Sequence, residues 1–113
     1  MNDLSKDLLV KIKNLYEQKK YSKLETIIEN FKNFEDLPVN IQMTYAASKA
    51  LNPKSKINDY KKSAFLFKKI YLKDKSNLEP LYNLIIVSLK ANLFSNLNSY
   101  LEEVHKKKIM IQK

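Results

Sequence analysis

The sequence predicts an all-α fold built from six helices in three antiparallel hairpins. The 113-residue chain has no glycine and only three prolines, whereas β-hairpins usually need glycine in their turns. Apolar residues instead recur three and four positions apart, which is the spacing of one face of an α-helix. The same spacing, opening on an aromatic residue, occurs three times: Tyr21-x-x-Leu24-x-x-x-Ile28-x-x-Phe31, Tyr60-x-x-Ser63-x-x-x-Phe67-x-x-Ile70 and Phe94-x-x-Leu97-x-x-x-Leu101-x-x-Val104. The last two copies begin roughly 34 residues apart, a period typical of arrays of helical hairpins.

The first hairpin is predicted from helices over about Leu4–Gln18 and Tyr21–Asn33. Asn2 or Asp3 is the expected N-cap of the first helix, since short polar side chains accept from the free N–H groups of a first turn. Two lysines form the turn between the helices, and each helix carries apolar residues on one face.

The second hairpin is predicted from helices over about Val39–Leu51 and Asn58–Lys73. Pro38 precedes the first of these, where a proline is tolerated because the N–H groups of a first turn have no partner within the helix. The segment Asn52–Lys56 contains a proline and polar residues and is the strongest loop signal in the chain.

The third hairpin is predicted from helices over about Leu78–Ala91 and from Leu93 to Lys107 or beyond. Ser76 and Asn77 are expected to cap the first of these helices. Asn92 is expected to make the tight turn into the last helix.

Composition limits the classes of function. All 21 basic residues are lysine, and the net charge is +9. We interpret this charge as mainly compositional, since a surface without arginine lacks bidentate contacts to phosphate or guanine. The absence of cysteine excludes disulfides and thiolate metal sites. No signal peptide or membrane span is visible, so we expect a cytoplasmic protein, complete or excised from a larger one.

The order of paired helices resembles the tetratricopeptide repeat family, with Tyr21, Tyr60 and Phe94 at the same position of each unit. The resemblance covers nearly the whole chain as a single domain, 1–113, with units of about 5–38, 39–77 and 78–111. It implies a short right-handed superhelix that acts as a protein-interaction or scaffold module. The middle unit is longer than the family pattern, and the surplus fits its internal loop.

Two departures from the family pattern have structural consequences. Where the helices of a unit meet, the outer units pair large residues and the middle unit pairs small ones, so we expect a closer approach in the middle unit. These pairs are Ile12 with Leu24, Ala46 with Ser63, and Ile85 with Leu97. The family's turn glycine is replaced by Lys19, Asn58 and Asn92, of which asparagine best tolerates a left-handed turn.

The resemblance also implies a concave groove lined by the first helix of each unit. The residues expected to bind a partner there are Leu9, Lys13, Tyr16, Met43, Ala47, Tyr82 and Ile86. An extended apolar peptide or an amphipathic helix would suit such a groove. The alternative is that these side chains pack against a neighbouring segment of the same protein.

A lysine-rich face of the fourth helix carries a second hypothesis from a different class. At 100° per residue its lysines share one broad side, opposite Phe67 and Ile70. This basic face consists of Lys61, Lys62, Lys68, Lys69 and Lys73. It would contact nucleic-acid phosphates without reading sequence, or an acidic protein. The alternative is a solvated helix surface.

Catalysis has little support in the sequence. His105 is the single histidine, and no glycine-rich phosphate loop exists without glycine. Glu102 and Glu103 are explained by helix pairs with the lysines that follow. We therefore expect no enzymatic activity, no cofactor and no metal. The C-terminal Ile109–Ile111 is a candidate for self-association or for a longer parent helix.

Overall fold

The computed structural model describes residues 5–112, with side chains described as far as Ile109. Within this range every regular element is helical, which confirms the predicted all-α class. The elements are α1 (Lys6–Glu17), α2 (Tyr21–Glu29), a short 3-10 turn (Phe34–Asp36), α3 (Val39–Leu51), α4 (Ile57–Lys73), α5 (Glu79–Lys90) and α6 (Leu97–Gln112).

The ends of α1 follow from local hydrogen bonding. The Ser5 hydroxyl accepts from the Leu8 N–H at 3.1 Å and caps the helix; the predicted caps, Asn2 and Asp3, lie outside the described residues. At the other end Lys19 has φ 61°, and the Lys20 N–H donates to the Leu15 carbonyl at 2.8 Å. This left-handed residue reverses the chain into α2.

The second helix ends at Glu29, earlier than the predicted Asn33. The connection that follows is held by a side chain of α3. Gln42 donates through Nε2 to the Leu37 carbonyl at 2.8 Å and to the Glu35 carbonyl at 3.2 Å. These bonds satisfy two carbonyls of the connection without helical geometry.

The last helix begins at Leu97 rather than Leu93, because residues 93–96 form an irregular connection after the left-handed Asn92. The predicted inward face is wrong at two of its positions, because Phe94 and Leu101 are 56% and 48% exposed. Val104, from the same predicted pattern, does pack against the core, together with Leu93 and Tyr100. Phe94 precedes the helix, so it does not share a helical face with the residues that follow.

Each helix packs against the next one in the chain, and α3 also contacts α5. Small residues lie at the contact between α3 and α4. There the Ser63 hydroxyl donates to the Ala46 carbonyl at 2.7 Å, and both residues are 0% exposed. Of the three residues that replace the family's turn glycine, Lys19 and Asn92 are left-handed, whereas Asn58 lies within α4. The core is continuous through the helices and includes Ile12, Leu24, Ile28, Tyr45, Phe67, Leu81, Leu84 and Val87.

Candidate functional site

Helix α3 has two faces with different roles, because residues three and four apart share one side of a helix. One side, with Ile41, Tyr45 and Ser48, is buried against α2 and α4. The opposite side of α3 faces an open cavity. The α3 residues that line this cavity are Val39, Asn40, Met43, Thr44, Ala47, Ala50 and Leu51.

This cavity has a volume of about 610 Å³ and lies between α3 and α5. From α5 it is lined by Glu79, Asn83, Ile86 and Val87. Val39 and Leu51 on one wall are 53% and 48% exposed, and Ile86 on the other is 62% exposed. The cavity is therefore an apolar trough with polar side chains between the apolar ones. We call it the groove.

A second depression of about 300 Å³ lies between α1 and α3. Leu9, Lys13 and Tyr16 of α1 line it, together with Asn40 and Thr44 of α3. Tyr16, Asn40 and Thr44 line the first cavity as well. The two depressions therefore adjoin and extend the groove across α1, α3 and α5.

The structure brings most of the predicted groove residues together. Tyr16, Met43, Ala47 and Ile86 line the larger cavity, and Leu9 and Lys13 line the smaller one. Tyr82 lines neither; it is 38% exposed on another part of the α5 surface.

Val39 was missed by the sequence reasoning. Its position four residues before Met43, on the same helical side, is the signal that could have found it.

The groove has two polar features. Burial raises the pKa of Tyr16, and the charges of Tyr21 and Glu79 raise it further, so its hydroxyl is neutral at neutral pH. Lys90 of α5 reaches across to α3 and donates to the Ala50 carbonyl at 2.5 Å, which links the two walls.

The basic face of α4 is partly occupied by contacts within the protein. The Lys62 ammonium lies 5.4 Å from the centre of the Tyr45 ring. Lys69 forms an ion pair with Glu35, and its ammonium lies 5.9 Å from the centre of the Phe65 ring. The remaining three predicted lysines, Lys61, Lys68 and Lys73, are exposed. The face is therefore less uniformly available than the sequence predicts.

A cluster of ion pairs around one buried lysine, Lys49, joins α2, α3 and α4. The sequence did not predict it. We call it the lysine cluster. The Lys49 ammonium of α3 lies 2.9 Å from Oε1 of Glu25 and 3.3 Å from Oε2 of Glu29, both on α2. It also lies 3.3 Å from Oδ1 of Asp59 on α4. Lys49 is only 9% exposed. The ammonium group on α3 is thus surrounded by three carboxylates, two from α2 and one from α4.

Neutral donors complete this cluster. Ser48 and Asn52 donate to Oε2 of Glu25 at 2.9 and 3.0 Å, and the Tyr45 hydroxyl donates to Oε2 of Glu29 at 2.6 Å. Among the described side chains, no buried polar atom is left without a hydrogen bond. A satisfied network of this kind positions helices.

The electrostatics of the cluster favour its charged form. Burial lowers the pKa of Lys49, but the hydrogen bond to Glu25 and the surrounding charges outweigh burial and hold that pKa above its ordinary value. Burial is the largest influence on Tyr45 and raises its pKa, and the hydrogen bond to Glu29 raises it further. At neutral pH the lysine is therefore charged and the tyrosine is neutral.

Within the part of the chain that the structure describes, the acidic side chains and the single histidine form no further site. No group of three or more histidine, cysteine, aspartate or glutamate side chains there is placed to hold a metal ion. Among the helices of residues 5–112, none combines the length and apolar character needed to cross a membrane. His105 lies on the exposed side of α6.

Comparison with known proteins adds no identity. No family model matches the chain, and no curated protein and no solved structure is significantly similar to it.

Proposed function

We propose that this chain is a protein-interaction module that binds a peptide or an amphipathic helix of a partner in the groove. The observation that carries the proposal is the set of exposed apolar side chains around an open cavity, namely Val39, Leu51 and Ile86. Contiguous exposed apolar surface usually marks an interaction site. A partner's apolar side chains would be buried between α3 and α5.

The dimensions of the groove suit such a ligand. Its larger part, of about 610 Å³, is within the range of cavities that bind ligands. Met43 is half-buried in its lining, and methionine adapts its shape to irregular partners. The adjoining depression beside α1 extends the surface along a chain-like ligand.

Charge would contribute mainly to the rate of association. The chain has a net charge of +9, so an acidic partner would be attracted before contact. Within the groove, Lys13 and Glu79 carry opposite charges and would help to orient the ligand.

We further propose that the helices form a degenerate array of the tetratricopeptide kind. The order of packing supports this, because each helix contacts the next and the first helices of the second and third units, α3 and α5, contact each other. Left-handed turn residues at Lys19 and Asn92 lie between the paired helices of the first and third units. The displaced start of α6 is the main departure from regular repeats.

Nucleic-acid or acidic-protein binding through the basic face of α4 has weaker support. Two of its five lysines, Lys62 and Lys69, already contact groups of this chain. The sequence contains no arginine, so bidentate phosphate contacts are absent from any such surface.

The test is affinity capture from the native cell extract with variants on and off the groove. Ile86→Lys and Met43→Lys place a charge in the apolar trough, and Leu101→Lys places the same charge at an exposed apolar site on α6. We expect a specific protein to be recovered with the unmodified chain and with Leu101→Lys, after nuclease treatment and at raised salt. Both groove variants should lose it while circular dichroism shows an intact fold. Retention of the protein by the groove variants would refute the proposal.

A further inference from the structure

The outward side of α4 carries apolar side chains that the core does not use. Phe65 is 61% exposed and Leu72 is 55% exposed. They are seven residues apart, or two helical turns, and therefore lie along one line of the helix. On the opposite side, Phe67 and Ile70 are 1% and 6% exposed and fill the core. Helix α4 is thus apolar on both sides, although only one is needed for folding.

Lysines border this outer apolar line on both sides. At 100° per residue, Lys61 and Lys68 flank it on one side, and Lys62, Lys69 and Lys73 on the other. Asp59 is the single acidic residue of α4, and it accepts from Lys49 and from the Lys56 backbone.

A carboxylate from a neighbouring element also reaches this side of α4. Glu35, from the connection before α3, pairs with Lys69. The flank that carries Lys61 and Lys68 is therefore the more positive one.

The connection between α5 and α6 extends the same surface. Phe65 and Lys68 share a depression of about 210 Å³ with Leu93, Ser95 and Asn96 of that connection. Polar side chains of this connection therefore border the flank that carries Lys61 and Lys68.

We propose that this surface binds the face of an anionic lipid bilayer. We define the α4 outer face as Phe65 and Leu72 together with Lys61 and Lys68. The two apolar side chains would enter the boundary between headgroups and acyl chains, as the apolar side of an interfacial helix does. The lysines have long flexible stems, so their ammonium groups would reach the phosphates and serine carboxylates of the headgroups.

Shape and chemistry favour a bilayer over a helix or a nucleic acid. Phe65 and Leu72 lie along the outer crest of a helix, whereas a partner helix is bound in a groove. Bases would stack on phenylalanine, but Leu72 offers no ring for stacking. A fluid anionic surface accepts aromatic and aliphatic side chains alike, and its charge complements the lysines.

The α4 outer face points away from the groove. Phe67 of the same helix lines the groove, and it lies about 160° around the helix axis from Phe65. Binding to lipid would therefore leave the groove open to a partner. This inference does not rest on the proposed groove function and can fail independently of it.

Co-sedimentation with vesicles tests the inference. The probes are vesicles of phosphatidylcholine alone and of phosphatidylcholine containing one-third phosphatidylserine. We expect binding to the anionic vesicles, weakened by salt because surface charge is screened. Lys61→Glu with Lys68→Glu should reduce it at least about tenfold, and Phe65→Ser with Leu72→Ser should also abolish most of it.

Matched controls carry the same chemical changes elsewhere. Lys6→Glu with Lys11→Glu changes the net charge equally on the exposed surface of α1, and Val39→Ser with Leu51→Ser changes two exposed apolar residues of the groove. Both controls should bind anionic vesicles as the unmodified chain does. Equal loss in the charge control, or no binding of the unmodified chain to anionic vesicles, would overturn the proposal.

A fluorescence measurement locates the contact. The chain has no tryptophan, so Phe65→Trp introduces a single reporter at the crest of α4, and Val39→Trp introduces one in the groove. Emission from Phe65→Trp should shift to shorter wavelength with anionic vesicles, and emission from Val39→Trp should not. A shift confined to the groove reporter would assign lipid contact to the wrong surface and would reject the inference.

Discussion

The Lys49 ammonium on α3 lies 2.9 Å from Oε1 of Glu25 on α2, and only 11% and 9% of the two side chains are exposed. The same ammonium is shared with Glu29 and Asp59. Burying a charge is costly unless its partners are correctly placed. If α2 or α4 shifted by a turn relative to α3, the lysine would stay buried without these carboxylates. We infer that this cluster specifies the alignment of the three helices.

Lys49→Met should lower the free energy of unfolding by about 3 kcal/mol, because it leaves the buried Glu25 carboxylate without its cation. Chemical denaturation measures the change. Lys23→Met, at an exposed position of α2, is the matched control and should change stability by less than about 0.5 kcal/mol. A similarly small effect at Lys49 would show that the cluster contributes no specific stability.

Acid should destabilise the fold through the carboxylates of the cluster. Burial raises the pKa of Glu29, but bonds from Tyr45 and Lys49 outweigh burial and hold this pKa below its ordinary value. For Asp59, the backbone N–H of Lys56 is the main cause of a lowered pKa. The unfolded state then binds more protons than the native state, so this stabilisation is complete above the ordinary pKa values of 4.5 and 3.8 and is lost as pH falls through the native ones.

Thermal unfolding between pH 7 and pH 2 tests this expectation. The melting temperature should be constant down to about pH 5 and then fall. Glu29→Gln combined with Asp59→Asn should give a lower plateau and a shallower acid decline, whereas Glu102→Gln, at an exposed position of α6, should keep the original profile. Parallel profiles for all three proteins would contradict the assignment of the acid sensitivity to Glu29 and Asp59.

Apolar spacing predicts the helices of this chain well but not always their inward faces. Near the start of α6, two sets of apolar residues fit helical spacing in the sequence: Phe94, Leu97 and Leu101, or Leu93, Leu97 and Tyr100. The choice between them depends on where the helix begins. That point is set by the irregular connection after Asn92 and its packing on α4, which are tertiary features.

The groove and the lysine cluster differ in how far the sequence predicts them. The resemblance to helical repeats predicted Met43 and Ile86, and both line the cavity between α3 and α5. From the sequence, Lys49 would be predicted to be exposed to solvent, because lysine is rarely buried. The available signal is the spacing of Tyr45, Ser48 and Asn52, which places three hydrogen-bonding side chains on the buried side of α3.

Ser63→Leu should destabilise the protein by about 2 kcal/mol, because a larger side chain forces α3 and α4 apart. The Ser63 hydroxyl lies 2.7 Å from the Ala46 carbonyl, and neither residue has room around it at 0% exposure. Ser63→Ala, which removes only the hydrogen bond, should cost about 1 kcal/mol.

Denaturant unfolding of both variants should be compared with that of Ser99→Leu, an equal change at an exposed position of α6. The exposed change should be close to neutral. If Ser63→Leu proved as stable as Ser63→Ala, the contact between α3 and α4 would not require small residues.

Lys19→Gly should raise the free energy of unfolding by about 1 kcal/mol, since a lysine at φ 61° carries a steric cost that glycine avoids. The Lys19 side chain is exposed, so its removal should lose little contact. Lys20→Gly is the matched control: its φ of −90° lies outside the left-handed region, so glycine there relieves no left-handed strain and should lower stability by increasing the entropy of the unfolded chain. Asn92→Gly should stabilise less than Lys19→Gly, because asparagine tolerates the left-handed region better than lysine. Equal effects at Lys19 and Lys20 in denaturant unfolding would mean that the turn between α1 and α2 does not hold Lys19 in its left-handed conformation.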